Sequence, residues 1–233
     1  MPLEIYHSEK VLGLDSARAM PKHEMPDPWL PGGGVSLVSP ELMPLNPVGV
    51  KWALAKDSQA LWFACEVLAP PLCDTRYKAG EFIEGLWTTD VAEFFLQDAH
   101  SGEYQEFNIS PVGAWWSCSF SEYRKRYPAF KKPATFCCQG FAESNRWEVV
   151  FGVRIDGLSI RFDAGTLVHV AVVSCSREGA RGEGDVVPKY FSSHPIRGLE
   201  PDFHHPEVFQ PYVIKEIELP TSRLTIEDLN FKI

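Results

Sequence analysis

The sequence predicts an all-β fold, an antiparallel β-sandwich of jelly-roll-like type. Three observations carry this. Strand-like runs recur from residue 48 onward, with Gly, Pro, Asp and Asn between them. Several of those runs alternate apolar with polar residues, the period of a half-buried strand. No stretch sustains the 3.6-residue apolar period of a long helix. A chain of 233 residues fits one large all-β domain, and a hydrophobic fraction of 45% is enough to fill its core.

Residues 1–47 are expected to form a Pro-rich, extended, mostly non-helical arm packed on the domain, with Pro21, Pro26, Pro28, Pro31, Pro40, Pro44 and Pro47 each removing a backbone donor. Residues 48–233 are expected to form the sandwich. Gly32–Gly34 are followed by Val and Ser, so they do not make a phosphate loop. "VGVKWALAK" and "ALWFACEV" flank "DSQ" and read as a hairpin. "DVAEFFLQ", "EYQEFNIS", "GAWWSCSF", "RWEVVFGVRI", "TLVHVAVVSC" and "PYVIKEIEL" follow as strands. A short helix at "SEYRKRY" would leave the class unchanged.

Alternation sorts each strand into two faces. Phe94, Phe107, Trp147, Val149, Phe151, Val153 and Val170 fall on core faces. Glu93, Tyr104, Glu106, Asn108, Arg146, Glu148, Arg154 and His169 fall on the others. Any sandwich has a polar solvent face, yet this set contains no Lys. Its planar and aromatic groups hydrogen-bond directionally, which suits a ligand with adjacent hydroxyls. Trp87, Trp115 and Trp116 are candidate platforms for the C–H face of a sugar ring.

Charge and segment composition exclude other classes. A net charge of −9 argues against nucleic acid as the partner of the whole domain. No apolar run approaches twenty residues, so no membrane-spanning helix is expected. "MPLEIYHSEK" lacks the apolar core and cleavage site of a signal peptide, so a cytoplasmic location is expected, or secretion if a leader precedes this chain. The six cysteines include no CxxC pair, and Cys65 and Cys118 read as buried free thiols. The residues give no oligomeric state.

The ordered motifs resemble family 9 carbohydrate-binding modules and their DOMON-like relatives. Trp87-Thr-Thr-Asp90-Val-Ala-Glu93-Phe-Phe-Leu resembles the family's W-x-x-D-x-x-E-x-F segment. "VKWALAKDSQALWFACEV" resembles its early hairpin, "EYQEFNISPVGAWW" its Y-x-x-F strand, and "PDFHHPEVFQPYVI" its closing segment. Together these span about residues 48–215. The resemblance implies a sandwich that binds a saccharide ligand without cleaving it. It implies that Trp87 stacks on the sugar and Glu93 takes its hydroxyls. The family's second stacking Trp is missing near "KYFSSHP", where Tyr190 or Phe191 stands. Tyr104, Asn108 and Arg146 complete the expected polar set from alternation alone. No cofactor is expected, although some relatives bind structural calcium.

Other constellations are weaker. His204 and His205 in "DFHHPE" point to opposite sides of an extended segment, so His204 reads as a hydrogen-bonded latch rather than a metal ligand. "EYRKRYPAFKK" interleaves base and aromatic but reads as an exposed loop. Glu93, Glu106 and Glu148 leave glycoside hydrolysis open, since it needs paired carboxyls, but the resemblance favours binding. DOMON-like relatives also hold haem, which needs axial ligands from the interior. All four Met lie in residues 1–43, outside the expected strands. A protein-binding sandwich with a decayed sugar site is the remaining alternative.

Overall fold

A computed structural model describes residues 3–25, 48–177, 184–196, 198 and 200–218. Two sheets face one another. The first runs, in spatial order, β13 (Tyr212–Glu216), β1 (Leu3–His7), β3 (Val50–Lys56), β4 (Ala60–Val67), β10 (Trp147–Arg154) and β9 (Thr135–Ala142), with β2 (His23–Glu24) pairing the start of β3. The second runs β12 (Val186–Ser192), β11 (Thr166–Arg177), β5 (Val91–Asp98), β6 (Tyr104–Ile109), β7 (Trp115–Glu122) and β8 (Lys125–Arg126). Pairing is antiparallel except at β1, which lies parallel to both β13 and β3.

The inner faces are the ones alternation assigns. Phe94, Phe107, Trp147, Phe151, Val153 and Val170 are completely buried. Phe63 of the first sheet meets Phe94 of the second at 5.0 Å between ring centroids, and Phe94 stacks on Phe107 at 4.5 Å. The "DSQ" turn is fixed by Asp57, which accepts from the backbone N–H of Leu12, Gln59 and Ala60 and from Nε1 of Trp62. That satisfies a carboxylate with no exposed surface.

The N-terminal segment is more ordered than an extended arm. Residues 3–25 place β1 within the first sheet and fold Leu14–Arg18 into helix α1. No proline stands between Pro2 and Pro21, so a helical turn is permitted there. Asp15 in its first turn and Arg18 in its last suit the helix dipole. The remaining prolines of this segment, from Pro26 to Pro47, lie outside the described residues. The outer face of the first sheet is closed by Leu12, Ala17 and Met20 packing on Ala53, Ala55, Ala64 and Trp62. There Glu148 takes Nε of Arg18 at 2.8 Å and Nζ of Lys22 at 3.2 Å.

"SEYRKRY" is a hairpin rather than a helix. It ends β7, turns at Arg124 (φ 55°) and returns as β8. All six cysteines are unbridged, with Cys65 and Cys118 buried. Among the described residues no helix is long and apolar enough to cross a membrane.

Candidate functional site

The outer face of the second sheet carries a cleft. Strand pairing and alternation bring Glu93 of β5, Tyr104, Glu106 and Asn108 of β6, Trp116 and Phe120 of β7 and Val173 of β11 to this face. The loop before β5 and the segment 201–210 cover parts of it. Between them lies a cleft of about 380 Å³. Its floor holds Glu93, Glu106, Phe120 and Val173. Its rim holds Trp87, Arg124, Arg126, Tyr190 and, from the closing segment, Pro201, Phe203 and His204.

Trp87 reaches the rim because its turn is anchored. Gly85 adopts φ 92°, a conformation costly to residues with a Cβ, and opens a short 3₁₀ turn, Leu86–Thr88. Leu86 is buried beneath it, and Trp87 stays 40% exposed. The indole leans on Trp116 at 5.4 Å, and the Arg126 guanidinium covers Trp116 at 4.8 Å. Asp90, just after this turn, ties it to the rest of the fold by accepting from the backbone N–H of Leu72 (2.7 Å) and Cys175 (2.5 Å). Burial pushes the Asp90 pKa up to about 6, and those two N–H bonds pull the other way.

Two carboxyl groups sit on the floor. Glu93 is 4% exposed and Glu106 is 5% exposed. Glu106 Oε1 accepts from Asn108 Nδ2 at 3.0 Å, and its Oε2 lies 3.8 Å from His204 Nε2. Glu93 accepts no hydrogen bond among the described residues, although a buried carboxyl ordinarily has partners. Burial raises both, Glu106 to about 7 and Glu93 well above its usual range, where the charge of Glu106 adds to the effect.

The rim is tied to this floor. Tyr104 accepts from the Arg124 backbone N–H at 2.9 Å, and its oxygen lies 2.9 Å from His204 Nδ1. Asp202 accepts from the His204 N–H, the Arg124 guanidinium and the Tyr123 hydroxyl. The Arg126 guanidinium pairs with Glu84. Burial lowers His204 to about 4, with Arg124 contributing, so the ring is neutral at ordinary pH. His169 lies deeper, wholly buried against Phe95 and lowered to about 3, first by burial and then by His194 and His204.

Of the expected site residues, Trp87, Glu93 and Tyr190 line the cleft. Asn108 and Tyr104 stand behind it, positioning Glu106 and His204. Arg146 does not join them. It precedes β10 in the first sheet, is exposed, and pairs with Glu143. Alternation assigns a face within a strand but does not say which sheet the strand enters. Trp115 is buried in the core, and Phe191 is likewise buried, so neither is a platform. Alternation alone does not bring Arg124, Arg126, Phe120, Phe203 and His204 to the cleft they line. Glu106 was visible in the alternating row, and the arginines enter through the hairpin turn. Met20 and Met25 are buried in the packed clusters. Among the described residues no group of three or more His, Cys, Asp or Glu is placed to hold a metal ion.

No protein-family model matches the chain, and no curated protein matches it in sequence. Its fold is shared with solved structures. One is a Bacteroides uniformis protein assigned as carbohydrate-binding, at 14% identity and a TM-score of 0.58, covering 92% of this chain and 100% of that one. Another is a family 9 carbohydrate-binding module from Caldicellulosiruptor kristjanssonii in complex with cellotriose, at 13% identity and a TM-score of 0.51, covering 92% of this chain and 95% of that one. The fold is therefore that of a β-sandwich seen in carbohydrate-binding proteins.

Proposed function

We propose that the cleft binds a saccharide without cleaving it. The observation that carries this reading is Glu93. It is a nearly buried carboxyl with no hydrogen bond among the described residues, facing a cleft whose rim displays a half-exposed indole. Burying such a group unpaired is costly, and donors brought by a ligand offset the cost. Sugar hydroxyls supply the donors, and the sugar's C–H face covers Trp87. The fold shared with a module that binds cellotriose supports the same class of ligand.

Glycoside cleavage needs two carboxyls with divided roles, an acid and a nucleophile or base. In this reading Glu93 and Glu106, neighbours on one sheet face, both serve as acceptors for the ligand. No structural calcium or haem enters this reading.

A glycan array probed with calcium present and absent, followed by calorimetry on the hits, tests the proposal. Saturable binding of an oligosaccharide, weakened in Glu93→Gln and Trp87→Ala, is the expected result. Binding that neither substitution disturbs would move the site elsewhere.

A further inference from the structure

This inference rests on the saccharide reading and names the class of sugar. Four carboxyls stand in or beside the cleft: Glu84, Glu93, Glu106 and Asp202. Among the described residues two guanidiniums accompany them, Arg124 and Arg126. Both are committed, Arg124 to Asp202 and Arg126 to Glu84. Their charges are felt on the floor, Arg124 by Glu93 and both by Glu106, but neither hydrogen-bonds to either carboxyl. His204 also faces the floor, and burial keeps it neutral.

Glu93 and Glu106 are diagonal neighbours on one face, since Glu93 pairs with Asn108 and Phe95 with Glu106. Among the described residues Asn108 is the close donor to the pair, and it serves Glu106. Two buried carboxyls therefore open into the cleft with no cation bonded to them among the described residues. A hydroxyl brings one hydrogen to such a site. An ammonium brings three and a positive charge. The half-exposed face of Trp87 also favours a cation nearby.

We propose that the cleft selects saccharides bearing a protonated primary amine, the ammonium contacting Glu93 and Glu106 while Trp87 covers the ring. Where a floor carboxyl carries a proton before binding, the ion pair forms by releasing it to solvent. The ammonium keeps its own proton. A neutral sugar needs no such release.

Calorimetry at about pH 6, in two buffers of different ionisation enthalpy, separates the cases. The probes are cellotriose, the β-1,4-linked glucosamine trisaccharide, and its N-acetylated form, which shares the backbone but lacks the charge. The amino form is expected to bind at least about ten-fold tighter than the other two and to release protons on binding. Glu93→Gln is expected to erase that preference. If this variant fails to fold, Glu106→Gln takes its place.

Equal or tighter binding of cellotriose or the acetylated form overturns the amine proposal and leaves the saccharide reading standing. A preference that survives both substitutions also overturns it. Failure of all three probes removes the amine proposal, and the glycan array then decides whether any saccharide binds.

Discussion

The oxygen of Tyr104 lies 2.9 Å from Nδ1 of His204, joining a strand of the second sheet to the closing segment a hundred positions later in the chain. The hydroxyl also accepts the backbone N–H of Arg124. One side chain thus ties together the floor, the hairpin turn and the lid of the cleft. Tyr104→Phe keeps the ring stack on Phe120, whose centroids are 4.5 Å apart, and removes only the oxygen. Denaturant melts should show a loss of roughly 1–2 kcal/mol. Ligand affinity should fall several-fold, because His204 and Arg124 lose a common anchor. An affinity equal to the parent's would show that Tyr104 does not position the rim.

Binding should depend on Glu93 and Trp87 in different ways. Glu93→Gln removes the carboxylate that the ligand's donors would stabilise, and losing a charge-assisted hydrogen bond costs about 1.5–3 kcal/mol, or roughly ten- to a hundred-fold in affinity. Trp87→Ala removes the exposed platform and should do at least as much. Trp87→Phe should recover part of the loss, since stacking needs a ring more than an indole N–H. Calorimetry on one confirmed saccharide distinguishes all three.

The titration of Glu93 has a defined sign. Its folded pKa is raised, so the stability it contributes is full below about 4.5 and is lost as pH rises through the folded value. Glu106, raised to about 7, acts in the same direction between about 4.5 and 7. His169 and His204 act oppositely. Their lowered values, about 3 and about 4, give stability that is lost as pH falls below 6.5. The parent's own profile therefore mixes both. The difference between Glu93→Gln and the parent isolates the carboxyl, and it should favour the variant increasingly from about pH 5 to pH 8. Paired denaturation curves across this range read the trend, and a flat difference would show that Glu93 is not perturbed in the folded protein.

The fold was more legible in the sequence than the cleft was. The apolar rows of β5, β6, β10 and β11 are read directly, because a strand's two-residue period reports burial at each position. The same period assigns Glu93, Glu106 and His169 to one face. It also put Arg146, Glu148 and Arg154 in the same set, although β10 belongs to the other sheet. Which sheet a strand joins is decided by long-range pairing, and no local pattern carries that. Arg124 and Arg126 were hidden for a related reason. A charged turn looks like solvent-exposed loop until the hairpin folds it over the sheet and Asp202, 78 residues away, fixes it. The N-terminal strand was hidden too, because β1 pairs in parallel with segments distant in sequence.

The buried thiols test the packing independently. Cys65 has no exposed surface, and burial raises its pKa strongly, which suppresses the reactive thiolate. Cys118 is also buried and raised. Both should resist a thiol reagent in the native protein and react fully after denaturation, followed by mass spectrometry. A Cys65–Cys118 bridge would contradict the structure, in which the two stand on different sheets.

Register in β10 gives the sharpest test of the fold. Val153 is wholly buried and paired with Leu61, whereas the next residue, Arg154, points outward to Asp156. A strand's successive side chains occupy opposite faces, so the two positions should respond in opposite ways. Val153→Asp puts a carboxyl among Phe151, Phe63 and Leu61 with no partner. The cost of burying an unpaired charge approaches the whole stability of a typical domain. The variant should be insoluble, or should lack a cooperative melt by circular dichroism. Arg154→Ala removes a surface ion pair and a guanidinium 5.8 Å from the Phe136 ring, and should leave the melt nearly unchanged. A soluble Val153→Asp protein with the parent's melting curve, or a severe loss in Arg154→Ala, would mean that β10 is shifted by one residue. Its whole apolar row would then face the wrong side of the sheet.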